Sequence, residues 1–169
     1  MAQYNHIIEV EEIDSLARPC TVDEDIAMRY IEESELQDVK PLIGDALFFD
    51  IVENRAKYSL LLEGGIYESK GEKHGFVGLK TTLAYYVWAR MVKCSVNHLT
   101  RFGFVAKNDD NSHSVNWKER QTAYNDAYAV ADGYMKECLE YLKAQNMLDN
   151  GKDVAQINKK RTYFNVIGQ

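Results

Sequence analysis

The chain has 169 residues, enough for one domain with its own core, and its 46% apolar and 27% charged residues are typical of globular proteins. A net charge of −6 disfavours proteins that wrap DNA or bind membrane surfaces, because both usually need a basic face. It does not exclude a surface past which DNA slides.

The cysteines and the amino terminus indicate a reducing compartment. Cys20, Cys94 and Cys138 are scattered and form no CxxC pair, which disfavours zinc-knuckle and thioredoxin-type sites. We expect Cys94 and Cys138 to be small buried residues in helices. The first residues lack the basic start and apolar run of a signal peptide, so we expect synthesis in a cytoplasm.

The first third of the chain predicts two helices behind a short segment. Residues 1–20 form a mixed N-terminal segment in which IIEV, residues 7–10, can form a short strand. Thr21 and Glu24 in TVDE predict a capping box that starts the first helix. Pro41 predicts a break, because the residue before a proline is biased away from helical angles. DVKPLIGDAL is therefore interpreted as helix, bend, helix.

The middle third contains four glycines in residues 61–75 and then an apolar run. The glycines and the pair Lys70 and Gly71 predict a β-hairpin at about residues 66–76. The run FVGLKTTLAYYVWARMV, residues 76–92, is shorter than the roughly 20 residues that span a bilayer. We predict a core helix whose inward face carries Leu79, Leu83, Tyr86, Val87 and Met91.

Two aromatic residues of this helix lie partly off that inward face. Tyr85 and Trp88 can complete the packing inside the subunit or contact another subunit, since aromatic anchors are enriched in interfaces. The sequence leaves both alternatives open. After the helix, residues 100–114 are polar and glycine-punctuated, which predicts an extended loop.

The last helix has the strongest pattern. Asn116 and Glu119 form a predicted capping box, and apolar residues recur at helical spacing to about Gln145, giving a length of roughly 40 Å. The fold class is therefore mainly α: a bundle of three to four helices with a small β-hairpin insertion and an extended C-terminal arm. The predicted units are residues 1–20, a helical domain at 21–146 and an arm at 147–169.

Catalytic and metal-binding patterns are absent from the sequence. There is no GxSxG, HExxH, GxxxxGK[ST] or GxGxxG motif, and no Glu-x-x-His pair for a di-iron site. We expect His74 and His113 to be solvated in loops. We expect the paired carboxylates of the first helix to face solvent: Asp23, Asp25, Glu32 and Glu33. Because these motifs are absent, we predict no enzyme, no cofactor and no metal.

The tail contains one basic and aromatic segment, NKKRTYFN, at residues 158–165. Its cations can touch phosphates and its rings can stack on bases, or the arm can be simply solvated. The favoured interpretation is an arm that docks on a partner. The residues assigned to it are Lys159, Lys160, Arg161, Tyr163, Phe164, Val166 and Ile167.

Several stretches resemble head–tail connector proteins of tailed phages with Bacteroides-type hosts. DIAMRYIEESELQDVKPLIGDALFFDI is similar to their first two helices, and LLEGGIYESKGEKHGFVGLKTTLAYYVWARMV to the hairpin and helix that follow. TRFGFVAKN and ERQTAYNDAYAVADGYMKECLEYL continue the similarity, which covers about residues 22–145. The chain looks most like the ring proteins of crAss-like phages.

The resemblance implies a structural role in the virion, assembled in the bacterial host cytoplasm. Such connectors form a ring, expected to be a dodecamer, below the portal, and the ring extends the DNA channel and receives the next tail or ring protein. It implies partners of three kinds: identical subunits, the portal, and further tail proteins, with genomic DNA passing through and no membrane. We expect the hairpin and the tail to reach neighbours, and acidic side chains to line the channel.

Two alternatives from other classes remain. A small helical ligand-binding protein or enzyme would have a deep pocket with perturbed titratable groups. A nucleic-acid-binding protein would use residues 158–165, and its binding to DNA would weaken with added salt.

Overall fold

A computed structural model describes residues 4–20, 23–94, 97–100, 103–106 and 116–148. The described chain is mainly helical with two small hairpins. The helices are α1 (Val10–Leu16), α2 (Glu24–Ser34), α3 (Lys40–Ile43), α4 (Asp45–Glu53), α5 (Ser59–Glu63), α6 (Leu79–Cys94) and α7 (Trp117–Ala144). A π-helical segment (Glu35–Val39) joins α2 to α3, and a 3₁₀ turn (Arg55–Tyr58) leads into α5. The mainly α prediction is confirmed.

The predicted strand at residues 7–10 is wrong, because the chain there enters helix α1. The backbone N–H of Glu9 donates to the Glu12 carboxylate at 2.9 Å, which is half of a capping box and favours a helix start. Ile7 and Ile8 precede the helix and are fully buried, as is Ile13 within it. The N-terminal segment therefore contributes to the same core as the bundle.

The start of α2 also differs from the prediction. The cap is Asp23, whose carboxylate accepts from the N–H groups of Asp25 and Ile26, and the helix begins at Glu24. Thr21 lies outside the described residues. An Asp at the N-cap satisfies free amides and places a negative charge at the positive end of the helix.

The predicted order of helix, bend and helix is present in DVKPLIGDAL, but the bend does not lie at Pro41. Lys40 has helical angles, and the chain runs from α2 through the π-helical segment into α3 without a break. Pro41 is the second residue of α3. The break comes at Gly44, whose φ of 90° is readily adopted only by glycine.

Helices α6 and α7 form an antiparallel pair at the centre. All five predicted inward residues of α6 are buried: Leu79, Leu83, Tyr86, Val87 and Met91. The predicted long helix is confirmed as Trp117–Ala144, with the capping box of Asn116 and Glu119. At 1.5 Å per residue, α7 is about 42 Å long. Helices α1, α2 and α5 pack on this pair.

Each end of the α6–α7 pair carries a hairpin. Strands β1 (Gly65–Ser69) and β2 (Glu72–Phe76) pair antiparallel and confirm the predicted hairpin. Strands β3 (Asn97–Thr100) and β4 (Gly103–Ala106) form a second one, so the predicted extended loop is wrong at its start. A two-residue connection favours antiparallel pairing of the strands on either side.

Candidate subunit interface

The β1–β2 hairpin is fixed to α7 by aromatic rings on its inner face. Phe76 stacks on Tyr141 with ring centroids 4.8 Å apart, and Tyr67 meets Tyr141 edge to face at 5.1 Å. His74, directly opposite Tyr67 in the ladder, stacks on it at 5.3 Å. His74 therefore lies in a strand and is partly buried, which corrects its predicted place in a solvated loop. Isolated two-stranded hairpins are marginal, so this packing stabilises the hairpin.

The base of the hairpin is closed by two glycines in close backbone contact. Gly64 and Gly78 both have positive φ, at 80° and 91°. A Cβ on Gly78 would lie 2.4 Å from the backbone nitrogen of Gly64, closer than any real contact. The chain therefore enters and leaves the hairpin through a junction that admits no side chain, which fixes the direction in which the hairpin points.

The outer face of the hairpin carries one large apolar side chain. Ile66 is 72% exposed, the highest value among the exposed large apolar residues of the described chain. Its cross-strand partner is Gly75, which has no side chain to cover it. The next pair on this face is Glu68 opposite Lys73, both exposed. Ile66 thus projects from a polar surface on a rigid support.

The edges of this hairpin are open within the described residues. Strands β1 and β2 pair only with each other there, as do β3 and β4. An unpaired strand edge presents a row of N–H and C=O groups that can add a strand from another chain. The hairpin can therefore bind a partner through its outer face and through an edge.

Tyr85 and Trp88 lie against the N-terminal segment. The Arg18 guanidinium lies 5.0 Å from the Trp88 ring and 6.0 Å from the Tyr85 ring, and it donates to Asp126 of α7 at 2.7 Å. Tyr85 also meets Tyr134 edge to face at 5.6 Å. Both rings remain partly exposed, so they pack within the subunit and retain surface for a neighbour.

The π-helical segment turns two carboxylates inward. Asp38 is 4% exposed and accepts from Arg90 of α6, with Nη2 at 2.7 Å, and from the hydroxyl of Tyr128 of α7. Arg90 also lies 3.5 Å from Glu33. Burial alone would lower the pKa of Arg90, but Asp38 and Glu33 outweigh it and raise the pKa above its ordinary value. Asp38 therefore ties the segment to both central helices.

Glu35 is the second of these carboxylates and is fully buried. It accepts from the Tyr4 hydroxyl at 3.0 Å, lies 2.8 Å from Nδ1 of His6 and accepts from the N–H of Ile7 at 2.6 Å. Burial raises the pKa of Glu35, and the three hydrogen bonds oppose that shift without cancelling it. Glu35 thus holds the N-terminal segment on the bundle.

Neither carboxylate was predicted from the sequence to be buried. The acidic residues predicted to face solvent were Asp23, Asp25, Glu32 and Glu33, of which Glu32 is half-buried and the other three are exposed. The helical period of α2 continues through this segment, because the buried Ala27, Ile31 and Ser34 are followed on the same face by Glu35 and Asp38. The signal for a buried pair was therefore present in the sequence, because Glu35 and Asp38 continue the apolar stripe of α2.

The two cysteines that were predicted to be buried differ in their surroundings. Cys138 is buried beside Thr82, and burial raises its pKa to about 12. Cys94 is exposed, which corrects its predicted burial. Within the described residues no cluster of His, Cys, Asp and Glu has the arrangement of a metal site, and no helix is long and apolar enough to cross a membrane.

The other predicted contact residues lie outside the described part of the chain. They are Lys159, Lys160, Arg161, Tyr163, Phe164, Val166 and Ile167, all in the tail. His113 is outside it too. The tail assignments therefore stay predictions.

Comparison with protein families matches residues 39–148 to a family of unknown function, DUF6712. The chain belongs to this family. The matched region contains the β1–β2 hairpin and the α6–α7 pair, whereas α1, α2 and the tail lie outside it. No curated protein and no solved structure matches the chain.

Proposed function

We propose that this chain is a structural subunit of a tailed-phage virion that forms a head–tail connector ring below the portal. The proposal rests first on the resemblance of residues 22–145 to connector proteins. The structural observation that carries it is the rigid β1–β2 hairpin, with Ile66 exposed on its outer face. A single exposed apolar side chain is tolerated by a free monomer, and on this rigid support it offers a defined point of contact for a neighbouring subunit.

In a closed ring, a projecting element such as the hairpin can serve as one of the two contact surfaces of each subunit. A closed ring of identical subunits uses two different surfaces of each subunit, one meeting the other on the next copy. The hairpin is one such surface, since its base is fixed by Gly64 and Gly78 and its inner face by Tyr141. The partly exposed Tyr85 and Trp88 belong to a second surface on the α6–α7 pair in this proposal.

The proposal assigns no catalysis and no cofactor to the chain. Its partners are identical subunits, the portal and a further tail or ring protein, in the virion at the head–tail interface. Carboxylates that face the channel keep passing DNA from adhering, and the exposed acidic start of α2, at Asp23, Glu24 and Asp25, is a suitable lining. A channel lined mainly by Lys and Arg would contradict this part.

The test is assembly of the full chain, alone and with a portal protein, followed by negative-stain microscopy and native mass spectrometry. We expect annular particles with the symmetry of the portal. Ile66→Asp should abolish or strongly reduce them, because a charge replaces the apolar contact, whereas Ile66→Leu should leave them intact. Chains that stay monomeric under all these conditions would refute the ring.

The same assay separates the role of the tail from the alternatives. Deletion of residues 152–169 should weaken ring formation or portal binding, and unchanged assembly would remove the tail from the proposal. Salt-sensitive DNA binding by the monomer, without rings, would favour the nucleic-acid-binding alternative.

A further inference from the structure

Helix α7 ends in a motif that turns the chain sharply. The N–H of Met147 donates to the carbonyl of Leu142 at 2.9 Å, and the N–H of Asn146 donates to the carbonyl of Lys143 at 3.0 Å. Asn146 has a φ of 54°, in the left-handed region. These are the two hydrogen bonds and the conformation of a Schellman motif. The path of the chain after α7 is therefore fixed by the backbone as far as Leu148.

The motif directs the chain along a groove beside α4. The groove has a volume of about 370 Å³ and is lined by Ile43, Gly44, Asp45, Ala46, Leu47, Asp50, Met147 and Leu148. One wall is therefore the start of α4, and the other is the end of the described chain itself. Met147 is 37% exposed and Ala46 is also exposed, so apolar surface remains uncovered by the described residues.

The charges of the groove are negative. Among its described lining residues there are two carboxylates and no cation. Asp50 is already satisfied by Lys57, Asn54 and Tyr58. Asp45 is 77% exposed, and its ion-pair partner among the described residues is Lys40 at 3.6 Å, a separation at which an exposed pair contributes little. Asp45 is thus available to a cation.

The chain that leaves this groove carries a matching segment. Three consecutive cations, Lys159, Lys160 and Arg161, precede the densest apolar cluster of the tail, which is Tyr163, Phe164, Val166 and Ile167. Ten residues, 149–158, separate the groove from the cations and can span up to roughly 33 Å. A tether of this length gives an effective concentration on the order of millimolar at the groove.

We propose that, in the free subunit, residues 159–167 dock in this groove of their own chain. Their apolar side chains cover Ala46, Leu47 and Met147, and the cations lie beside Asp45. In the ring proposed above, the segment has to leave the groove before it contacts a neighbour or the portal, so docking retains the arm until assembly. The docking itself does not depend on the ring.

The test is photo-crosslinking of the full chain with p-benzoylphenylalanine in place of Phe164, analysed by mass spectrometry. Equal amounts of ¹⁵N-labelled and unlabelled chains are mixed below the concentration at which rings form. We expect crosslinks from residue 164 to residues 43–50 or 147–148 of the same chain. Crosslinks to other surfaces, crosslinks between labelled and unlabelled chains, or no crosslinks would overturn the proposal.

Matched variants test the chemistry of the contact. Asp45→Lys and Ala46→Trp should each lower the crosslinking yield several-fold, because one repels the cations and the other fills the groove. Both positions are exposed, so the fold is retained. Glu53→Lys makes the same charge change at the other end of α4 and should leave the yield unchanged. An equal yield in all three variants would contradict the docking, whether or not the protein forms rings.

Discussion

The β1–β2 hairpin and the π-helical segment are attached to the same bundle by different physics. The hairpin is held by stacked rings, with Phe76 on Tyr141 at its centre. The π-helical segment is held by two buried carboxylates, Asp38 on Arg90 and Glu35 on the N-terminal segment. Ring stacking responds little to pH, whereas a buried carboxylate depends on both its partner and its proton. The two regions should therefore fail in different ways.

The largest expected effect is on the carboxylate side. Arg90→Ala leaves Asp38 buried with one charged partner removed, and breaking such a pair costs about 3 kcal/mol of unfolding free energy. Lys57→Ala removes an exposed partner of Asp50, with its side chain 59% exposed, and should cost much less, because a solvated ion pair contributes little to stability. Urea unfolding followed by circular dichroism measures both.

Similar losses for Arg90→Ala and Lys57→Ala would contradict the comparison. They would mean that the Asp38 pair is as well solvated as a surface pair. A double variant, Asp38→Ala with Arg90→Ala, should recover part of the loss, because it removes the unpaired charge as well as its partner.

The second effect is on the hairpin side. Gly78→Ala places a methyl group against the backbone of Gly64 and also requires a positive φ, so it should cost roughly 2–3 kcal/mol. Gly71→Ala, in the turn, also has a positive φ, at 83°, but meets nothing within 4 Å. It should cost only about 1–2 kcal/mol, the price of the left-handed conformation. Thermal unfolding separates the two, and equal losses would show that the base is not close-packed.

The hairpin was predicted from the sequence, whereas the buried carboxylates of the π-helical segment were not. The hairpin was predicted because glycines and the Lys70–Gly71 turn determine it locally. The α6 and α7 helices were predicted because their apolar period is regular. The inward carboxylates were missed because Glu35 and Asp38 are charged, and a charged side chain is almost never fully buried unless it has a partner, although both lie on the buried face of the α2 stripe. Tertiary context, which a local pattern does not contain, decides such positions.

The candidate interface was also predicted only in part, because local patterns do not show which segments pack together. Tyr85 and Trp88 were named from their place off the inward face, and they do lie partly exposed. Their cover by Arg18 depends on where the N-terminal segment packs, which no local pattern gives. Ile66 was not named, since an isoleucine in a strand reads as core unless its cross-strand partner is known to be Gly75.

The smallest expected effect concerns the pH response of the carboxylate side. Because burial raises the folded-state pKa of Glu35 above its unfolded value, its contribution to stability is present at low pH and is lost as pH rises through the raised pKa. Glu35→Gln keeps the shape of the protonated acid and removes this loss. Its stability relative to the natural chain should therefore increase from pH 4 to pH 7, by about 1.4 kcal/mol for each unit by which folding raises the pKa.

Urea unfolding at several pH values measures this difference, with Glu53→Gln as the control substitution at an exposed carboxylate. His6, Tyr4 and the N–H of Ile7 all face Glu35 and favour its charged form. If the natural chain instead gained on Glu35→Gln as pH rose, these contacts would outweigh burial. The N-terminal segment would then be held by the charged form of Glu35, and acid rather than base would weaken its attachment.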